Sequence, residues 1–351
     1  MRLLQEEQLD FSDVLILPQR STIKSRKDVS IEREFTFLHS GKKWNGYPVI
    51  AANMLTGTFE MARVLSNYNM MTALHKHYSR NELLDFWQTD NYITSNNTFY
   101  TLGIRRNDLF KYNEIKYVSN KIPNFICIDI ANGHIEIFVD FVRAFRNSNP
   151  DSIIMAGNVV TGSATEELIL AGADIVKVGI GSGANCTTRK IAGVGRPQLS
   201  TIIECADKAH GLGGLICSDG GITQPADVNI AFAAGADFVM IGTMFAGTDE
   251  CGGEIVEHNG KFHKKFFGMS SNSAMETFGS GKENYKSSEG RTTLIPCKGP
   301  VKYIVEELQG STRSMLSYIG ARKLKEASKR ATLIRVNNRL NLSAEQYTIG
   351  N

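Results

Sequence analysis

The sequence lacks any run of roughly eighteen or more apolar residues, the length a membrane-spanning helix needs. Met1-Arg2-Leu3-Leu4 is followed at once by Gln5, Glu6 and Glu7 rather than by the apolar core of a signal peptide, so the expected compartment is the cytosol. Charge of one sign is missing as well. With 39 basic and 36 acidic residues the formal net charge is +3, so no global field points to nucleic acid or an anionic membrane, and any anionic ligand must be held by a local site. The cysteines Cys127, Cys186, Cys205, Cys217, Cys251 and Cys297 show no C-x-x-C spacing, which removes the usual zinc and disulfide readings. No Gly-x-Gly-x-x-Gly follows the first strand-like segment, which argues against a nicotinamide-binding Rossmann domain. Low-complexity tracts and a second folded domain are also lacking.

What is present is a repeat of short apolar, β-branched segments, each followed by a helical pattern. Eight such segments fall at 48–52, 70–74, 98–103, 125–130, 152–156, 175–178, 215–218 and 238–241. They are continuously apolar, as parallel strands covered on both faces are. Helical candidates include 59–65, 135–145, 164–170, 198–210 and 226–234, with 312–328 closing the pattern. The expectation is an α/β fold, a single (β/α)8 barrel over residues 1–351, with an N-terminal extension at 1–47. A polar, Gly-rich insertion at about 247–310 is expected to carry a hairpin, 254–267, turning at Asn259-Gly260, and then a mobile flap; residues 279–291 are expected to order only when a ligand is bound.

In such barrels chemistry sits just beyond the C-terminal ends of the strands. Here those positions hold Asn53-Met54, His75-Lys76-His77, Asp129-Ile130-Ala131, Gly157-Asn158, Asp219-Gly220-Gly221 and Gly242-Thr243. Taken singly the glycines read as tight turns; together, after strands seven and eight, they read as a phosphate cradle. The sixth strand runs into Gly179-Ile180-Gly181-Ser182-Gly183-Ala184-Asn185-Cys186-Thr187-Thr188-Arg189. Cys186 therefore lies in an exposed loop at the rim, whereas Cys127 and Cys217 fall inside strands and Cys205 in a helix. Thr188 and Arg189 beside it suit an activated thiol nucleophile. Lys76 suits a phosphorylated ligand. Asp129 reads equally as a sugar ligand or a helix cap, and the bare sequence does not choose Glu289 over Glu283.

These strings resemble the IMP dehydrogenase and GMP reductase family, nearly from end to end. The match rests on the Cys186 loop, Ser218-Asp219-Gly220-Gly221 and Gly268-Met269-Ser270. Asp10-Phe11-Ser12-Asp13-Val14, His75-Lys76-His77-Tyr78 and Met155-Ala156-Gly157-Asn158-Val159-Val160-Thr161-Gly162 resemble the GMP reductase branch. Too few residues follow Tyr78 for a CBS pair, and the flap, Asn284-Tyr285-Lys286-Ser287-Ser288-Glu289-Gly290, lacks the Arg-Tyr pair of IMP dehydrogenases.

The resemblance implies NADPH-dependent reductive deamination of GMP to IMP, in purine salvage, through a Cys186 thioimidate, with Thr188 and Glu289 protonating the departing amine. It implies GMP contacts at Asp219, Gly220, Gly221, Gly242, Thr243, Gly268, Met269, Ser270, Lys286, Ser288 and Gly290. Cofactor contacts are implied at Lys76, Asp129, Ile130, Ala131, Ile180, Gly181, Tyr285, Ser314 and Ser317, with Ser25 and Arg26 reaching from an adjacent subunit of a homotetramer. A potassium ion is implied at Gly181, Gly183, Cys186 and Arg189. Two departures stand out: Asn53-Met54-Leu55-Thr56-Gly57 is one residue shorter than the family's loop and lacks its Asp, and Lys286 replaces a frequent Arg. IMP dehydrogenase activity and a catalytically silent purine-nucleotide regulator are the competing readings.

Overall fold

The computed structural model describes residues 3–90, 92–119, 123–278 and 289–337. Eight parallel strands, β1 (Val49–Ala51), β2 (Met71–Ala73), β3 (Thr98–Leu102), β4 (Phe125–Asp129), β5 (Ile153–Val159), β6 (Ile175–Val178), β7 (Leu215–Asp219) and β8 (Phe238–Ile241), pair in sequence order, and β8 closes on β1. This is the expected (β/α)8 barrel. The strand segments read from the sequence are met to within a residue or two except at the end of β5, which continues to Val159. Helices Phe59–Ser66, Glu136–Ser148, Gly162–Leu170, Gln198–Gly211 and Pro225–Ala233 lie where the helical pattern put them.

Period-two alternation sends one residue in two into the barrel. Ile50, Met71, Phe99, Phe125, Cys127, Ile153, Met155, Ile175, Cys217, Phe238 and Met240 pack there as one buried cluster. The floor is plugged by part of the N-terminal extension, where strands Arg33–Thr36 and Lys43–Gly46 pair antiparallel. Phe35 stacks on Phe238 at 4.5 Å between centroids, Trp44 lies 5.7 Å from the same ring, and the indole N–H of Trp44 donates to Asn97 Oδ1 at 2.7 Å. Phe238→Ala empties the centre of this plug. It should lower the unfolding free energy by about 3–5 kcal/mol, the range for a buried Phe; a denaturant titration showing a loss below about 1 kcal/mol would mean that the plug repacks freely.

The closing helix differs from expectation. It spans Lys302–Ile319, not 312–328, and ends at Gly320, whose φ of +69° makes it a left-handed cap. Gly310, which reads as a boundary, lies inside the helix with open space beside it. The insertion is correspondingly shorter. Its hairpin, Ile255–His258 with Lys261–Phe267, turns at Asn259 and Gly260 with φ of 52° and 70°, and it gains an unexpected third strand, Thr292–Pro296. The flap residues 279–288 lie outside the described residues. Strand Val14–Leu17 pairs with Thr332–Arg335, tying the two ends of the chain together.

Candidate active site

The rim of the barrel is built from loops that touch through glycine. A Cβ on Gly220, whose φ is +102°, would stand 2.4 Å from Ser182 Oγ, so the loop after β7 lies directly against the loop after β6. On the other side of the β6 loop, a Cβ on Gly268 would fall 3.0 Å from the Asn185 carbonyl and 3.2 Å from Cα of Gly290. The Gly268-Met269-Ser270 turn, the Cys186 loop and the segment carrying Glu289 thus meet at one point.

Backbone pairing completes the assembly. The Thr187 N–H donates to the Glu289 carbonyl at 2.9 Å, the Arg291 N–H to the Asn185 carbonyl at 3.0 Å, and Cys186 sits opposite Gly290 in an antiparallel bridge. This register brings Glu289 to Cys186 although 103 positions separate their numbers (289 − 186). The Cys186 thiol donates to Thr188 Oγ1 at 3.1 Å, and the Thr188 hydroxyl donates to Glu289 Oε2 at 2.7 Å. A half-buried thiol therefore heads a two-bond donor chain that ends on a carboxylate. Gly290→Val forces the crowded backbone apart and should lower turnover by about two orders of magnitude, the scale of a displacement near 1 Å. Turnover within about threefold of the unaltered protein, with the fold retained by circular dichroism, would show that the chain does not depend on this close approach.

Arg189 does not serve the sulfur. Its guanidinium binds Asp10 Oδ2 at 2.9 Å and the Arg196 carbonyl at 2.7 Å, holding the N-terminal extension against the loop. The trio after β2 carries one cation, not three. Burial first, then Lys76, His75 and Lys111, pushes His77 down to about 4, and burial pushes His75 to about 4. Both rings are neutral at physiological pH and stack, His75 on Tyr78 at 4.0 Å and His77 on Phe278 at 3.8 Å. Lys76 is left exposed beside them. The shortened loop after β1 is filled by Leu55, buried against the insertion, where the Gly252 N–H donates to its carbonyl at 2.7 Å.

Below the rim lies a charged group that the sequence reading did not single out. Lys177 Nζ contacts Asp129 Oδ1 and Asp219 Oδ2, each at 2.7 Å, and Asn158 Nδ2 donates to the same Asp219 oxygen at 2.9 Å. Register explains how Lys177 reaches β4: Asp129 pairs with Gly157, and Gly157 with Lys177, so the intervening strand offers no side chain in the way. The signal was available as parity, since a lysine at an inward position of an apolar strand needs a partner.

Ser25 and Arg26 begin a short turn packed on the helix Lys302–Ile319, which also carries Ser314 and Ser317. This patch lies away from the Cys186 rim: Thr312, one turn before, bonds Tyr47 at the N-terminal end of β1 at 2.7 Å. Tyr285, Lys286 and Ser288 lie outside the described residues. The Gly181 and Cys186 carbonyls accept no bond among the described residues, while that of Gly183 accepts from the Cys186 N–H at 2.9 Å. Among the described residues there is no group of three His, Cys, Asp or Glu placed to hold a metal, and no helix is long and apolar enough to cross a membrane.

Comparison with known proteins places this geometry. A GMP reductase of Vibrio campbellii is 52% identical over 97% of this chain and 98% of its own length. That of Caenorhabditis elegans is 52% identical over 97% and 95%, and that of Photobacterium profundum 51% over 97% and 98%. The model of the IMP dehydrogenase / GMP reductase domain matches residues 8–341, nearly all of the barrel and its insertion, and the chain belongs to that family of enzymes.

Proposed function

We propose that this protein converts GMP and NADPH to IMP, NADP+ and ammonium in the cytosol, with Cys186 as the nucleophile. The observation that carries the reading is the Cys186–Thr188–Glu289 donor chain, which can move a proton from the sulfur to a carboxylate and back out to a leaving group.

The thiol proton passes through the Thr188 hydroxyl to Glu289, leaving a thiolate that adds to C2 of guanine. The protonated Glu289 returns that proton, again through Thr188, to the 2-amino group. The C2–N bond breaks, ammonia departs, and C2 remains bound to sulfur as a thioimidate. NADPH supplies hydride to C2. The C–S bond then breaks, IMP is released, and the departing Cys186 thiolate takes up a proton from solvent to restore the thiol.

The phosphate is assigned to the backbone amides of Asp219 to Gly221, Gly242-Thr243 and Gly268 to Ser270, with Lys286, Ser288 and Gly290 of the flap closing over the base. Contact between the β6 and β7 loops supports one continuous cradle. The cofactor is assigned to Lys76, Asp129 to Ala131, Ile180, Gly181 and Tyr285. Ser314 and Ser317, grouped with Ser25 and Arg26 away from the chain's own rim, suit a neighbour's cofactor in a homotetramer. A potassium ion would be held by backbone carbonyls, those of Gly181 and Cys186 having free lone pairs, with Gly183 and Arg189 completing the set. It would steady the nucleophile loop.

Incubation with GMP and NADPH should release one ammonia per NADP+ formed. The alternative, oxidation of IMP with NAD, needs an activated water for which no Arg-Tyr pair is present in the flap sequence. Turnover of IMP with NAD, and none of GMP with NADPH, would reverse the assignment.

A further inference from the structure

Lys177 has no chemical role in the steps above, yet its side chain is only 4% exposed and both its contacts are aspartates at the tops of strands. Each aspartate presents one anchored oxygen to the ammonium, Oδ1 from Asp129 and Oδ2 from Asp219. Asp219 Oδ1 has no protein partner among the described residues and remains available to a ligand. A carboxylate fixed through one oxygen and open through the other is a preorganised acceptor for hydroxyl groups.

We propose that Lys177 is a positioning residue that holds Asp129 and Asp219 as paired ionised acceptors, so that one buried cation preorganises both the cofactor side and the nucleotide side of the site. The inference rests on the assignment of those aspartates to the two ligands.

Two carboxylates brought this close without a counter-ion cannot both stay charged; one takes up a proton and becomes a donor where an acceptor is needed. Burial disfavours the Lys177 cation, but Asp129 and Asp219 hold its pKa well above the ordinary lysine value. Burial likewise disfavours the Asp129 charge. Lys177, then Asn53 and Lys76, overcome that and hold its carboxyl below the usual range. The other groups facing the ammonium, Cys127 and Cys217, are pushed up by burial and stay neutral, so they do not compete for it.

The test compares Lys177→Met and Lys177→Arg with the unaltered protein. Calorimetry with GMP alone should show binding weakened about tenfold or more in Lys177→Met at neutral pH. Its KM values for GMP and NADPH should rise more than its kcat falls, and Lys177→Arg should recover most of both. Carbon NMR titration of the Asp129 carboxyl should find it ionised at neutral pH in the unaltered protein and titrating at higher pH in Lys177→Met. GMP affinity and carboxyl titration both unchanged in Lys177→Met would overturn the inference.

Should Lys177→Met fail to fold, Lys177→Gln removes the charge while keeping a polar end group beside both aspartates. GMP binding should again weaken and the Asp129 carboxyl titrate higher, and unchanged values again overturn the idea. If the unaltered protein does not bind GMP at all, the proposed activity fails. The carboxyl titration still decides the role of Lys177.

Discussion

Cys186→Ala should abolish GMP turnover while leaving GMP affinity within about tenfold, or about 1.4 kcal/mol. The reasoning is a separation of roles. The proposed phosphate cradle is backbone, made by the loops after β7 and β8 and the Gly268 turn, and the substitution leaves that backbone in place. The bonds that set the loop, Thr187 N–H to Glu289 and Arg291 N–H to Asn185, do not involve the sulfur. Alanine removes only the atom that bonds C2. Calorimetry with GMP and the loss of nicotinamide absorbance measure the two quantities separately. Retained turnover would remove the nucleophile from the mechanism. Loss of binding together with turnover would mean that the sulfur holds the loop instead.

Glu289→Gln is expected to slow GMP turnover by about 10²- to 10⁴-fold, the range for losing a general acid. Glutamine keeps the size and an acceptor for the Thr188 hydroxyl at 2.7 Å, but it neither takes up nor returns a proton. Running the reaction backwards divides the steps. Hydride removal from IMP by NADP+ requires the thiolate but no protonated amine. At alkaline pH, where hydroxide can take the thiol proton in place of Glu289, the variant should still give a burst of about one NADPH per site. Equal loss of burst and forward turnover would assign Glu289 to holding the loops together, not to proton transfer.

The barrel was readable because each parallel strand is covered on both faces, so strands such as Val49–Ala51 and Phe238–Ile241 appear as apolar runs whichever way a side chain points. The helices were less evenly marked. Arg106–Val118 buries only Tyr112 and Ile115 and leaves little stripe to detect, and Gly310 suggested a boundary where the closing helix runs through. Cys186, the proposed nucleophile, was legible from its place after β6. Glu289 was not, since its selection over Glu283 depends on pairing between distant segments that periodicity does not register. Lys177 was hidden differently: its partners lie on other strands, Asp129 two strands away, and the side-chain gap at Gly157 becomes visible only once the register is known.

The zipper between residues 185–187 and 289–291 gives the enzyme a second, smaller stability of its own. Amide hydrogen bonds of this kind contribute about 0.5–1.5 kcal/mol each, far less than the barrel as a whole. Opening the pairing separates Glu289 from Cys186 while every barrel strand stays in place. The observed rate is therefore the intrinsic rate multiplied by the fraction of molecules that are zipped. Mild denaturant or warmth should extinguish catalysis well before the fold melts, and any ligand that bridges the two segments will raise that fraction as it binds.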